Sequence, residues 1–251
     1  MHPIFQKFPA AASGAFLGET IRPEFGVGPV GSMPGTDPEY WEWIDVLESV
    51  DQAEGSYMMM ELGAGFGRWS ALAARYRGLA PIRVIAVEAE PTHFEWLHLH
   101  LSDNGFAGLS YELIQAAVSD SAGRVGFLTG RPAEWYGQCI APEGQGVEVR
   151  KLSLRGLLEP LSRVDLIDLD VQGEELRCIT SAIEQVDAKV KRLQIGTHSA
   201  EIEAGLRSLL TEHGWKCQVD FGLLQVNETP YGPMQFTDGV QSWVNPRLVR
   251  P

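Results

Sequence analysis

The chain of 251 residues carries 33 acidic and 20 basic side chains, which gives a formal net charge of −13 at pH 7. This balance disfavours binding to nucleic-acid backbones and to anionic membrane surfaces, because both require a basic protein surface. The sequence also lacks the run of about 18 apolar residues that a membrane span needs. Cys139, Cys178 and Cys217 are widely spaced, which fits free thiols in a reducing compartment, so we expect a cytoplasmic protein.

The first part of the chain is rich in glycine and proline and shows no regular period. Its scattered aromatic residues, such as Phe5 and Phe25, favour an arm that packs on the core over a disordered tail, although the order of residues 1–40 stays open. Asp37-Pro38-Glu39 then predicts the start of a helix. We expect residues 1–45 to form an N-terminal arm or cap and residues 46–251 to form the main domain.

The most informative stretch is residues 58–67, Met-Met-Met-Glu-Leu-Gly-Ala-Gly-Phe-Gly. Its spacing predicts a buried strand, a tight glycine turn and the start of a helix, which together bind a nucleotide at the carboxyl edge of a parallel sheet. A dinucleotide fingerprint beginning at Gly63 would need glycine where the chain has Arg68. The pattern E-x-G-x-G-x-G resembles the first motif of class I S-adenosylmethionine (SAM)-dependent methyltransferases. The acid in this pattern suits the ammonium group of SAM better than a phosphate.

A second acid supports the same cofactor. The next apolar run ends at Glu88, about 20 residues after the glycine turn, where an acid typically accepts hydrogen bonds from ribose hydroxyls. Ala89 is expected on the adenine side, and Ala117, near the end of the third strand, is expected to border the adenine. The candidate cofactor-binding residues of this region are Glu61, Gly63, Ala64, Gly65, Gly67, Glu88, Ala89 and Ala117.

Strands and helices alternate along the rest of the chain. This βαβ alternation predicts an α/β fold, a Rossmann-like doubly wound seven-stranded sheet that is mostly parallel with an antiparallel last strand. The third strand is expected at residues 111–118 and the fourth at residues 164–171. The remaining sheet strands are predicted at 56–61, 83–88, 191–196, 215–221 and 239–244, with short extra strands at 124–128 and 146–149.

A narrower resemblance appears in residues 164–175, V-D-L-I-D-L-D-V-Q-G-E-E. This segment resembles the D-L-I-K-I-D-V-E-G-A-E motif of FkbM-type methyltransferases, and with the glycine motif and Gly196–His198 the resemblance covers roughly residues 55–245. It implies SAM as the cofactor and hydroxyls of natural products or sugars as acceptors, with amide or amine nitrogen as the acceptor in some members. Asp168 stands where the family usually has lysine, so any role of that lysine is absent here.

Asp168 and Asp170 are two residues apart and should point to the same face of an extended strand. The pair resembles the D-x-D of divalent-metal-dependent O-methyltransferases, in which a cation such as Mg²⁺ acidifies a substrate hydroxyl. In the alternative interpretation, Asp168 contacts the SAM amino group and Asp170 caps the next helix. His198 follows the fifth strand and is expected to complete the metal site, or to act alone as a general base with a pKa near neutrality or as a substrate contact. A hydrogen-bonded structural histidine is the alternative.

Two less regular segments are candidates for a substrate lid. The loop at residues 130–145 carries Trp135, Tyr136 and Gln138, and Tyr231 lies before the last strand. Long loops near an active site are often functional, and ordinary surface packing is the alternative. His93, at a helix end, is expected to be solvated.

These residues predict a SAM-dependent O-methyltransferase that acts on a hydroxyl of a small secondary metabolite or sugar. An N-methyltransferase acting on a peptide amide or amine is the first alternative, and a non-catalytic nucleotide-binding module is the second. The expected partner is a small-molecule acceptor, with no nucleic acid and no membrane. The oligomeric state stays open, with a homodimer among the alternatives.

Overall fold

The structure is a computed structural model that describes residues 2–8, 20–25, 38–78, 80–106, 109–134 and 136–249. Much of the arm predicted at residues 1–45 lies outside these ranges, and so does Trp135. The helices are α1 (Ile4–Lys7), α2 (Glu39–Asp51), α3 (Arg68–Arg77), α4 (Pro91–Asp103), α5 (Leu154–Leu158), α6 (Glu175–Lys189) and α7 (Ala200–Glu212). The strands are β1 (Tyr57–Leu62), β2 (Ile82–Glu88), β3 (Ser110–Gln115), β4 (Ala117–Ser119), β5 (Gly123–Phe127), β6 (Val147–Ser153), β7 (Leu166–Leu169), β8 (Arg192–Thr197), β9 (Lys216–Phe221), β10 (Gln225–Thr229), β11 (Gly232–Phe236) and β12 (Gly239–Val244).

Seven of the strands form one sheet in the order β3-β2-β1-β7-β8-β12-β9. β12 runs antiparallel to both of its neighbours, β8 and β9, and the other pairs are parallel. This confirms the predicted doubly wound, mostly parallel sheet with an antiparallel last strand. The strand order reverses at β1 and β7, which is where open α/β sheets bind their ligands.

Helices cover both faces of the sheet. One face packs against α2, α3 and α4, and the other packs against α5, α6 and α7. Strand β1 is buried on both sides, with Met59 facing the first group of helices and Met60 facing the second. This explains why β1 is apolar throughout instead of alternating, as is usual for a central parallel strand.

Two predicted strands differ from the structure. The segment expected as one strand at residues 111–118 is two strands, because the chain leaves the main sheet at Ala116 and β4 pairs with β6 instead. The strand expected at residues 164–171 is regular only over Leu166–Leu169, so Asp170 lies on the loop beyond it. The β10–β11 hairpin has no counterpart among the predicted strands.

A buried ion network fixes α2 on the sheet. Arg192 on β8 donates to Asp45 at 3.0 Å and to Glu48 at 2.6 Å, and Ser242 on β12 also donates to Asp45, at 2.6 Å. Burial raises the pKa of Asp45 to about 6, although the charge of Arg192 and the Ser242 hydrogen bond act against it. Because the same helix carries Glu39 and Glu42, this network also determines where those two acids lie.

The domain boundary at residue 45 remains a prediction, and the structure places that residue within the continuous helix α2. In the part of the chain that the structure describes, none of the helices combines the length and the apolar character that crossing a bilayer requires.

Candidate active site

The glycine turn lies between β1 and α3, and its backbone conformation and close contacts require glycine. Gly63, Gly65 and Gly67 adopt φ values of +83°, +54° and +82°, in the region that glycine enters without penalty. A Cβ atom on Gly63 would lie 1.7 Å from the backbone oxygen of Asp170. The turn therefore packs directly on the chain that leaves β7, and only glycine fits there.

Glu61 uses its carboxylate within the protein. It accepts hydrogen bonds from the backbone N–H groups of Trp69 and Ser70, both at 3.0 Å, and thereby caps the N-terminus of α3. Burial raises the pKa of Glu61 to about 7, and these hydrogen bonds oppose the rise. Glu61 therefore occupies these two N–H groups, and its role toward the ammonium group of SAM stays a prediction.

Glu88 lies at the end of β2 and faces a cleft beside the glycine turn. Its carboxylate accepts from the N–H of Gly65 and the N–H of Glu90, both at 2.7 Å. Burial raises its pKa to about 7 against these bonds. The cleft has about 570 Å³ of empty space up to its open mouth and a mainly apolar lining that includes Ala89, Ala116, Ala117, Val118, Phe127, Ile140 and Val171.

The long loop at residues 130–145 covers this cleft. Tyr136 stacks on His93 with ring centroids 4.3 Å apart, and its hydroxyl donates to the Phe25 carbonyl at 2.6 Å. His93 is only 2% exposed, so the expectation that it is solvated is wrong. Gln138 is buried and lines the same cleft. The loop thus lies over the cleft that contains Glu88.

Tyr231 lies elsewhere, on the β10–β11 turn. Its ring packs against Tyr40 and Trp41, with centroid separations of 5.3 Å and 5.8 Å. The hydroxyl of Tyr40 donates to the hydroxyl of Tyr231 at 3.3 Å. A substrate role for Tyr231 stays a prediction.

Asp168 is placed beside Glu61 by strand register. The two residues are direct partners on β7 and β1, and Gln194 on β8 is the next partner across the sheet. Asp168 is 3% exposed and accepts from the Gln194 side-chain amide at 2.8 Å. Burial, and then the charge of Glu61, raise its pKa well above the ordinary value. Its environment favours a neutral carboxyl unless a cation lies beside it.

His198 is held between two carboxyl groups. Its Nδ1 donates to Glu175 at 2.9 Å, and its Nε2 lies 3.3 Å from Asp170, as an ion pair without hydrogen-bond alignment. Burial lowers the pKa of His198, but the Glu175 hydrogen bond and the charges of Asp170 and Glu175 outweigh it and raise the pKa to about 9. This raised pKa favours the protonated form of His198 at pH 7, and the expected role as a general base stays a prediction.

The residues around Asp170 do not fit a divalent metal. Within the described ranges, the acidic and histidine ligand atoms that converge to within 4.8 Å belong to Asp170, Glu175 and His198, a group that does not include Asp168. Glu175 Oε1 is already occupied by the N–H groups of Val171 and Gly173 and by His198. A cation would have to displace these bonds, so we assign no metal to the predicted pair Asp168 and Asp170.

The second part of the site is lined by residues that the sequence did not predict. A second cleft of about 760 Å³ opens beside the first, and its lining includes Glu39, Glu42 and Arg68. Arg68 donates to Glu39 at 2.5 Å. The acids lie on α2, at ordinary positions for a helix start, so no sequence signal distinguished them from solvated side chains.

The sheet topology, the glycine turn and the acid at the end of β2 together define an α/β protein of the methyltransferase type. Residues 61–217 match the Methyltransferase FkbM domain. The chain belongs to the FkbM methyltransferase family, which confirms the resemblance seen in the sequence. A relative from Jannaschia sp. (strain CCS1), whose name provisionally assigns it to the methyltransferases, is 29% identical over 225 residues that cover 84% of this chain and 80% of the relative.

Solved structures with a related arrangement include two methyltransferases. Precorrin-6y C5,15-methyltransferase from Geobacter metallireducens GS-15 aligns with a TM-score of 0.46 and 15% identity, over 84% of this chain and 90% of that one. An rRNA methylase from Streptococcus thermophilus aligns with a TM-score of 0.48 and 13% identity, over 83% of this chain and 96% of that one.

The close approach at Gly63 makes a specific prediction. We expect Gly63→Ala to lose about 2 kcal/mol or more of unfolding free energy beyond the loss in Gly55→Ala, because overpacking adds to backbone strain. Gly55 is a matched control, since it has φ +74° and a Cβ atom there would meet no other atom within 4 Å. Urea unfolding measures both variants, and equal losses would contradict the steric constraint.

The charge of His198 predicts a pH-dependent stability. Its folded pKa of about 9 lies above the ordinary 6.5, so its contribution is fully present below pH 6.5 and is lost as the pH rises through 9. We expect wild type to lose on the order of 3 kcal/mol more over this window than His198→Gln. Urea unfolding at several pH values tests this, with His98→Gln, at an exposed position of α4, as the control. Parallel pH curves for wild type and His198→Gln would contradict it.

Proposed function

We propose that this protein is a SAM-dependent methyltransferase that methylates a hydroxyl of a small natural product or sugar. The observation that carries the proposal is the cleft of Glu88, where a buried carboxylate faces an apolar pocket beside a glycine turn. An acid there suits ribose hydroxyls, which donate hydrogen bonds to it. Family membership supports the same reaction class.

The residues present fit the cofactor along its length. The alanine-lined wall at Ala89 and Ala117 suits an adenine ring, and Glu88 suits the ribose. Asp168 has one carboxylate oxygen bonded to Gln194 and lines the second cleft, where it suits an ammonium group. Arg68 lines that cleft too and suits the carboxylate of the amino-acid end.

SAM, when bound, supplies a methyl group on a sulfonium sulfur. The protein then has to orient the acceptor, exclude water and receive the acceptor proton. Tyr136 lines both clefts, and we assign to its ring the exclusion of water. Asp170 is the proton acceptor that we assign, because burial raises its pKa above the ordinary value although the charge of His198 opposes this. His198 acts as a positioning cation for Asp170.

Methylation of an amine nitrogen is a second candidate function. The acidic lining of the second cleft favours it, because an amine acceptor arrives as a cation that carboxylates attract. A small-molecule acceptor is the partner that we propose, since the net charge of −13 disfavours nucleic acids and anionic membranes. A cytoplasmic location and a homodimer remain proposals from the sequence.

Glu88→Ala tests the cofactor assignment. We expect S-adenosylhomocysteine, the product form of SAM, to bind wild type and to bind the variant about 10- to 100-fold more weakly, which corresponds to losing one charge-assisted contact. Isothermal titration calorimetry measures both dissociation constants. Glu112→Ala is the control, because Glu112 pairs with Arg83 at the surface of the neighbouring strand β3. Failure of wild type to bind, or equal affinities in wild type and Glu88→Ala, would contradict the proposal.

A further inference from the structure

Residues 20–25 form a short strap that packs beside the glycine turn. At one end of the strap, the Arg22 guanidinium donates two hydrogen bonds to the Asp103 carboxylate, at 2.6 Å and 2.9 Å. The backbone N–H of Thr20 donates to the Asn104 side chain at 2.8 Å, and that side chain donates back to the Thr20 carbonyl at 3.1 Å. These bonds hold the strap at the C-terminal end of α4.

The other end of the strap is held by an aromatic contact. Phe25 is fully buried, and its ring packs against Phe66 and Trp96 with centroid separations of 5.5 Å and 5.2 Å. A buried phenylalanine ring is a large contribution to the docking of so short a segment. Phe66 lies inside the glycine turn, between Gly65 and Gly67. The strap therefore contacts the glycine turn directly.

Tyr136 connects the strap to the cleft of Glu88. Its hydroxyl donates to the Phe25 carbonyl at 2.6 Å, and its ring stacks on His93 and lines the cleft. A Cβ atom on Gly65 would lie 3.3 Å from this ring, so the ring lies over the turn. The N–H of Gly65 in turn donates to Glu88. Consecutive contacts thus join the strap, the tyrosine and the cleft.

The strap is well placed to hold the covering loop. Tyr136 belongs to the loop at residues 130–145, and surface loops open locally at low free-energy cost when few contacts hold them. The hydrogen bond to Phe25 is a contact that a docked strap supplies and an undocked strap does not. A ligand beneath a covering loop leaves only when the loop opens. Docking of the strap therefore favours retention of a ligand in the cleft.

We propose that the strap at residues 20–25 controls the release of the cofactor by holding Tyr136 over the cleft. Phe25 and Tyr136 are then positioning residues for cofactor retention. Coupling between two binding events is reciprocal, so a nucleoside in the cleft also holds the strap in its docked position. This inference rests on the proposed function, because it takes the cleft of Glu88 as the cofactor site.

Tyr136→Phe is the mildest test, because it removes the hydroxyl and keeps the ring that stacks on His93. We expect S-adenosylhomocysteine to leave this variant roughly three- to tenfold faster than wild type, which corresponds to the loss of one hydrogen bond. Surface plasmon resonance on the immobilised full chain measures the rate. Tyr57→Phe is the matched control and should keep the wild-type rate. Its hydroxyl is bonded to Ser49 at 2.7 Å, at the opposite end of β1 from the glycine turn.

Phe25→Ala tests the strap itself. We expect release of S-adenosylhomocysteine to be faster by roughly tenfold or more, because the strap loses its buried ring. Phe94→Ala is the control, since Phe94 lies on the same helix as Trp96 but packs against His98, at a centroid separation of 4.9 Å, instead of the strap. Urea unfolding shows whether both alanine variants are folded.

Hydrogen exchange of the strap gives a readout that a purely structural role would not change. We expect saturating S-adenosylhomocysteine to slow amide exchange in residues 20–25 of wild type by about threefold or more, with a smaller effect in Tyr136→Phe. An unchanged release rate in either Tyr136→Phe or Phe25→Ala, or strap exchange that does not respond to the ligand, would overturn the proposal. Failure of wild type to bind S-adenosylhomocysteine would instead overturn the proposed function, so the two failures are distinguishable.

Discussion

The candidate site depends on the contact between Gly63 and the backbone of Asp170. Because Gly63 has no side chain, the turn after β1 lies directly on the chain that leaves β7. This contact places the cleft of Glu88 and the acidic cleft on either side of one turn, with Gly63 and Asp170 lining both. A single steric constraint thereby joins the place that suits the nucleoside to the place that suits the reacting groups.

Several carboxyl groups of the site are buried, and burial disfavours their charged forms in the protein without a ligand. Burial raises the pKa values of Glu61 and Glu88 to about 7, and that of Asp168 further above its ordinary value. Backbone N–H groups offset part of this cost at Glu61 and Glu88, and raised pKa values of this kind are typical of functional sites. His198 supplies one positive charge from within the protein, and the ammonium group of the proposed cofactor supplies another. The acidity of the cleft is thus informative about the charge of its ligands.

The sequence predicted the sheet and the glycine turn well, because both depend on local patterns. The apolar strands, the glycine spacing and the acid at Glu88 are each readable within about 30 residues. The pKa of His198 was not predictable, since it depends on Glu175 and Asp170, which only the fold brings together. Glu42 was missed for the same reason. Glu42 lies on α2, and the buried network of Arg192 and Asp45 holds this helix against the sheet. No local sequence pattern indicates the contact between α2 and the strands.

The most direct measurement is a crystal structure of the protein with S-adenosylhomocysteine bound. We expect both ribose hydroxyls within about 3.2 Å of the Glu88 carboxylate, the adenine against Ala89 and Ala117, and the sulfur facing the side of the cleft that carries Asp170. A nucleoside bound outside the cleft of Glu88, or a ribose that makes no contact with Glu88, would contradict the assignment of this cleft to the cofactor.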